Sequence, residues 1–366
     1  MHAYLVQLKF TQCVFDAGVY YRQGAYGMIY LTVYVDDIVI AAKPMDIQVV
    51  VQELGAKFAL KDLGRVKHLL GMEINFIPGV IACLSQTAYV ERLATRFNMQ
   101  NMKGVRSPQQ HNERMPTTET NKARINSNKL PYRELIGSLQ YVVACSRPDM
   151  ACVVCALGRY NGAYTKDNYK MAQRAVRYML NTNHVGLVYR PVERLLTLDA
   201  FSDADHAMYR DTSRSNTGFV LQLQGLTWMW RSKQQGRVTK NTCASELVTA
   251  SACVDDLVWA RQLLSELVRE QGVSTVYCDN QSTIQVIASR GNSKRVQRYA
   301  KEARMIAEFV DDGVVDVKYV STTENVADIL TKTLGPQRFE YLRRKLSMEN
   351  VHSALVNMQE ELEKVD

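Results

Sequence analysis

Residues 30–42 read YLTVYVDDIVIAA, two runs of β-branched and aromatic residues on either side of the adjacent carboxylates Asp36 and Asp37. Runs of that kind favour extended chain, and the polar step between them predicts strand–turn–strand. Neighbouring carboxylates repel unless something cationic shares them, and a divalent metal is the usual answer. The segment therefore constrains the chain to a sheet with a candidate metal-binding turn.

At 366 residues, 46% hydrophobic and 22% charged, the chain can bury sizeable cores and is expected to form two or three domains. No stretch approaches the roughly 20 apolar residues of a membrane span. Gln7 and Lys9 interrupt the apolar start MHAYLVQLKF, so no signal peptide is read there. The expectation is an intracellular protein, cytoplasmic or nuclear, with no membrane partner. Cys152 and Cys155 have metal-like spacing, but they lie in the apolar run MACVVCALGRY without a second pair or a nearby His. Buried packing is the better reading of them.

Residues 1–105 form a first block: the hairpin, an amphipathic helix over 47–58, a glycine-punctuated strand region, and a helix in TAYVERLATRFNM. Residues 106–130 are polar and aperiodic, an exposed linker. From Pro131 to Arg190 the apolar spacing is helical. After Pro191 the texture changes. LLTLDAFSDAD, VSTVYCD and VVDVKYVST read as strands and TGFVLQLQGLTWMW as a hairpin, while SELVTASACVDDLVWARQLLSELVRE, NQSTIQVIAS and NVADILTKTL read as helices. That alternation implies a mixed sheet covered by helices. Residues 337–366 read as a charged, helix-prone tail.

Four acids sit where elements of the last block begin or end. Asp203 closes its first strand, Glu246 lies in the first turn of the long helix, Asp279 closes VSTVYCD, and Asp328 lies in the closing helix. Carboxyl ends of adjacent strands in an open sheet form a crevice for ligands. Acids gathered there raise one another's pKa values, and two magnesium ions would lift that penalty and create a phosphodiester-cleaving site. Asp205, Asp211, Asp255, Asp256, Asp311 and Asp312 read as solvated. The net charge of +8 suits a polyanionic partner. Within SRGNSKRVQRYAKEAR, Arg290, Lys294, Arg295, Arg298, Lys301 and Arg304 face Glu302 alone. A solvated helix face is the bland reading, and contact with a phosphate backbone is favoured beside a carboxylate cluster.

These features together resemble the carboxy-terminal part of a copia-type retrotransposon Pol polyprotein. FTQCVFDAGVYYR and YLTVYVDDIVIAA look like the end of a reverse-transcriptase palm. LPYRELIGSLQYVVACSRPDMACVVCALGRY and AVRYMLNTNHVGLVYR resemble the thumb and connection region. SDADHAMYRDTSRSNTGFVLQLQGLTWMWRSKQ, CASELVTASA, VYCDNQSTI and YVSTTENVADILTKTL resemble ribonuclease H. The resemblance implies an α+β and α/β multidomain chain. It divides into a partial palm (1–105), linker and helical thumb or connection (106–190), a ribonuclease H-like mixed sheet flanked by helices (191–336), and the tail (337–366).

By position, Asp203, Glu246, Asp279 and Asp328 match the metal-binding acids of ribonuclease H. Asp36 and Asp37 match the second and third polymerase carboxylates, whose partner Asp is expected upstream of Met1, in the missing amino-terminal part of Pol. The implied cofactor is Mg²⁺, two ions per ribonuclease H site, with Mn²⁺ as the alternative. The implied substrate is the RNA strand of an RNA–DNA hybrid. There are departures: His206 replaces an aromatic residue, the flank of Glu246 reads CASELVT, and no His occurs between His206 and His352. A catalytically silent nucleic-acid-binding relic is the competing expectation.

Overall fold

The runs flanking Asp36 and Asp37 form β3 (Met28–Tyr34) and β4 (Asp37–Ala41), paired antiparallel with Tyr34 opposite Asp37. They complete a sheet with β1 (Thr11–Gln12) and β2 (Val19–Gln23), in the order β1-β2-β3-β4. The computed structural model describes residues 1–111, 113, 125–126, 129–192, 196–268, 271–292 and 297–363. These fall into two units, residues 1–70 with 258–271, and residues 71–257 with 272–366.

In the first unit, α1 (His2–Gln7) and α2 (Pro44–Gly55) bury Leu5, Val50 and Leu54 against Phe10, Tyr20, Ile29 and Leu31. Pro44 opens α2, where a missing N–H costs nothing. The buried Asp46 carboxylate accepts from the Ala25 and Tyr26 N–H groups and so fixes the β2–β3 turn. Residues 258–267, the last turns of a long helix, belong here too. Glu266 accepts from the Val14 N–H and the Tyr21 hydroxyl, and Trp259 Nε1 donates to the Phe15 carbonyl. A two-residue strand, β5 (His68–Leu69), ends this unit's first segment.

The second unit contains a mixed sheet. β9 (Leu198–Tyr209), β10 (Arg214–Leu223) and β11 (Leu226–Gln234) are antiparallel neighbours. β12 (Ser274–Cys278) lies parallel to β9, and β13 (Val315–Tyr319) parallel to β12. The order is β11-β10-β9-β12-β13. The connections carry α7 (Thr242–Leu267), α8 (Gln281–Ala288) and α9 (Ala300–Asp311). Of the apolar stripe of α7 within this unit, Leu247, Ala250, Val254 and Leu257 are buried.

Ahead of this sheet come α3 (Thr87–Arg96), α4 (Tyr132–Cys145), α5 (Ala151–Gly158) and α6 (Lys166–Asn181). They share one core with Val220, Ile329, Phe339 and Leu342. Cys152 is buried and Cys155 half-buried in α5, packed rather than paired. A further sheet runs β14-β8-β7-β6 through Met348–Asn350, Val185–Tyr189, Ile81–Ser85 and Met72–Ile77.

Two expectations need correction. Residues 185–189 are a strand within the stretch read as helical. NVADILTKTL forms a five-residue 3₁₀ turn, Val326–Leu330, rather than an α-helix. Its apolar residues are buried on every side, a pattern that periodicity cannot distinguish from a longer helix. Residues 337–363 are packed structure: α10 (Pro336–Lys345) buries Phe339 and Leu342, β14 pairs with β8, and α11 (Val351–Glu363) places Val351 and Ala354 against Ile81, Cys83 and Val188.

The helical layer is pinned by a charge pair taken wholly out of water. Arg147 and Asp149 have side-chain exposures of 2% and 0%. The guanidinium donates to both Asp149 oxygens at 2.9 and 2.8 Å, and also to the Thr182 carbonyl and hydroxyl. The Tyr178 hydroxyl donates to Asp149 at 2.5 Å and accepts from Arg343 of α10 at 3.0 Å. Burial alone would raise the Asp149 pKa, but Arg147 outweighs it and holds the carboxyl below its usual value. Removing one partner strands a buried charge, so Arg147→Met is expected to cost about 3–5 kcal/mol. Urea denaturation of both proteins, compared at constant slope, checks this.

Candidate active site

All four acids singled out from the last block are brought together in the second unit. Asp203 lies on β9 opposite Gly218 of β10, and Glu246 lies in the second turn of α7, one turn later than expected. Asp279 follows β12, and Asp328 lies in the Val326–Leu330 turn. Asp203, Glu246 and Asp328 are buried and Asp279 is half-buried. Oxygens of Asp203, Asp279 and Asp328 lie within 4.8 Å of one another, and Glu246, Cys278 and Asp279 form a second such group.

The turn bearing Asp328 is held by shape and by hydrogen bonds. A Cβ on Gly218 would sit 3.0 Å from Leu330 Cβ and closer still to Thr331 Cγ2, so only glycine lets the turn lie on β10. Asn325 Nδ2 donates to the Ser202 carbonyl, while Asn216 Nδ2 and Ser232 Oγ donate to the Leu330 carbonyl. Thr322 donates to Asp279 at 2.9 Å. Arg338 of α10 donates to the Thr322 and Thr323 carbonyls, and at 3.4 Å to Asp328.

Positive charge inside this cluster comes from Lys332. Its ammonium donates to Asp203 at 2.9 Å and to Asp328 at 2.6 Å, and Thr331 Oγ1 also donates to Asp203. Burial would lower the Lys332 pKa, but Asp203 and Asp328 raise it overall. Even so, burial first and Asp328 second push the Asp203 carboxyl up to about 6, against the pull of Lys332. Glu246 is raised well above its ordinary value by burial, then by Asp203 and Asp279. Its buried Oε2 has no hydrogen-bond partner. Burying an unpaired carboxylate oxygen is costly, and an acid cluster with such an atom fits a divalent cation bound through oxygen.

Several contributors were missed in the sequence. Asp205 is half-buried and is pushed up to about 6 by burial, with Lys332 opposing and Asp328 adding to the rise. The reading of it as solvated is corrected. Strand period places residue 205 on the face of residue 203, and that signal was available. Lys332 is four residues after Asp328, whereas Arg338 and Thr322 are joined to the site only by tertiary packing.

Asp36 and Asp37 are exposed at the β3–β4 turn, and neither belongs to any group of three metal-ligating side chains among the described residues. Val35 between them and Tyr34 has φ of 53° and is 82% exposed. Arg298, Lys301 and Arg304 are exposed on α9 and the turn before it, and Arg290 is paired with Asp311. Lys294 and Arg295 lie outside the described residues.

Residues 1–111 match the family described as reverse transcriptase (RNA-dependent DNA polymerase). The retrovirus-related Pol polyprotein from transposon TNT 1-94 of Nicotiana tabacum is 32% identical over 343 residues, which are 92% of this chain and 26% of that polyprotein. A transposon Ty5-1 protein of Saccharomyces cerevisiae is 30% identical over 68% of this chain and 80% of its own length. Among solved structures, a ribonuclease H domain from Mycobacterium tuberculosis superposes with a TM-score of 0.29 at 14% identity, over 41% of this chain and 97% of that one. The chain belongs to the copia-type retrotransposon Pol family. It spans about a quarter of the length of its tobacco relative. Its mixed sheet of five strands carries α7, α8 and α9 in the connections. No helix among the described residues is long and apolar enough to cross a membrane.

The raised acids carry a sign. A carboxyl whose pKa rises on folding stabilises the fold below its ordinary value, and that contribution is lost as pH climbs through the raised one. With Asp203 moved from 3.8 to about 6, the metal-free protein is expected to lose stability between those two pH values. A divalent cation held by these carboxylates should offset the loss above the raised value. Denaturant midpoints measured across this range with chelator, and again with Mg²⁺, check both parts.

Proposed function

We propose that this chain is a retrotransposon Pol fragment whose working centre is a Mg²⁺-dependent ribonuclease H cutting the RNA strand of RNA–DNA hybrids. One observation carries the reading: Asp203, Glu246, Asp279 and Asp328 come from four separate segments into two ligand groups that share Asp279, and a buried oxygen of Glu246 lacks a partner. On this reading residues 191–336 supply the nuclease, 1–105 a partial palm, 106–190 the linker and connection, and 337–366 the closing elements.

Asp203, Glu246, Asp279 and Asp328 would hold two Mg²⁺ ions, with Mn²⁺ as a substitute. When bound, such ions supply Lewis-acid charge stabilisation and activate water for phosphodiester cleavage. The protein's own part is positional. Gly218 and Asn325 seat the turn that bears Asp328, and Thr322, held by Arg338, aims Asp279. Lys332 balances Asp203 and Asp328 and keeps like charges from driving β9 and the Asp328 turn apart. Asp279 is the most exposed of the four acids and faces incoming substrate. Exposed Arg298, Lys301 and Arg304 would contact phosphates, and the hybrid would be read through its minor-groove shape and 2′-hydroxyls. Asp36 and Asp37 would contribute two carboxylates to a polymerase site whose third is not among the described residues.

Asp279→Asn is expected to abolish Mg²⁺-dependent cleavage of a labelled hybrid while leaving the circular dichroism spectrum unchanged. Cleavage that persists in that variant sinks the assignment. Binding of hybrid without cleavage, and insensitive to chelator, would instead make the chain a silent nucleic-acid-binding relic.

A further inference from the structure

The second group of ligating atoms includes a sulfur. Cys278 ends β12, is fully buried, and places Sγ within 4.8 Å of carboxylate oxygens from both Glu246 and Asp279. Asn280 N–H donates to Sγ at 3.4 Å, an arrangement that steadies a metal-bound thiolate. Glu246 adds an independent pointer, because its Oε2 is buried and unpartnered beside that thiol. Asp279 belongs to both groups.

We propose that Cys278, Glu246 and Asp279 form a position for a thiophilic divalent cation, Zn²⁺ or Cd²⁺, and that filling it silences the neighbouring oxygen-only centre. This rests on the ribonuclease H reading for the silencing, though not for the binding. Thiolate selects zinc-like ions, whereas Mg²⁺ prefers oxygen donors and water. Bond lengths of about 2.3 Å to sulfur and about 2.0–2.2 Å to oxygen require the three donors to close by roughly an ångström. Binding forms one metal–sulfur and two metal–oxygen bonds in place of metal-bound waters, and releases the thiol proton and any proton on Glu246 to solvent, with no redox change. Once Glu246 and Asp279 are drawn toward the sulfur, they are withdrawn from the set that includes Asp203 and Asp328.

The test is a titration of the full chain with Cd²⁺, following the sulfur-to-cadmium charge-transfer absorption in the ultraviolet. The wild type and Cys243→Ser, which removes a thiol in the first turn of α7, are expected to saturate at about one ion per chain. Cys278→Ser should lose the band, and Glu246→Gln should need more Cd²⁺ to reach it. An undiminished band in Cys278→Ser, or none in the wild type, overturns the proposal. Should Cys278→Ser fail to fold, Glu246→Gln decides, because saturation at the wild-type concentration would overturn it. Mg²⁺-dependent hybrid cleavage is measured alongside, with added Zn²⁺. Cleavage in the wild type that Zn²⁺ leaves untouched removes the silencing, whereas a Cd²⁺ band without any cleavage keeps the metal position and removes the ribonuclease reading.

Discussion

Carboxyl groups crowded into a dry corner repel one another, and the second unit is organised around containing that repulsion. Asp203, Glu246 and Asp328 are buried, with Asp205 half-buried and close enough to feel the same charges. A corner of this kind survives only with positive charge, protons or cations to balance it. Lys332 provides part of that balance, and burial adds to it by raising the proton affinity of Asp203 and Glu246. The surrounding scaffold keeps the acids from relaxing apart. Gly218 admits the Asp328 turn, two side chains grip the Leu330 carbonyl, and Arg338 ties the 322–323 loop back to α10. Fold and site are therefore one electrostatic arrangement.

Much of the sheet could be read directly, because its strands carry β-branched runs, although β9 continues past Asp203 to Tyr209 rather than closing on it. The segments around Asp203 and Asp279 became β9 and β12, and the hairpin read from 217 to 230 became β10 and β11. Elements whose identity depends on packing were harder. The NVADILTKTL segment makes a single 3₁₀ turn because β10 lies against it. Residues 185–189 become a strand because β7 and β14 flank them. The four acids were legible from position and order, whereas Lys332, Thr322 and Arg338 acquire their roles only in three dimensions. Asp205 was legible by strand period and was set aside on the general expectation that surface acids are solvated.

The hairpin at Tyr34–Asp37 stands in contrast to that centre. Its two acids are exposed, and the residue between the strands, Val35, holds a left-handed backbone that β-branched residues rarely adopt. Backbone strain in an exposed turn persists where the surrounding strands over-determine it, and such positions cluster at functional sites. Here the sheet through β2, β3 and β4 provides that frame. The hairpin records membership of the Pol family, whereas the converged acids of the second unit carry its candidate chemistry.

The hydrogen bond from Arg343 to Tyr178 joins residues 165 apart in sequence, and β14 pairs with β8 across a similar span. Contacts of such long range must await most of the chain, because loop-closure entropy is spent before they form. A ribosome that has released everything up to the Val326–Leu330 turn has therefore made the acids but not their support. Asp149 and Tyr178 still lack the outer guanidinium, the edge of β8 is open, and the 322–323 carbonyls have no Arg338. α10 and β14 act as the latch of the second unit, and its acidic corner closes only once they have been made.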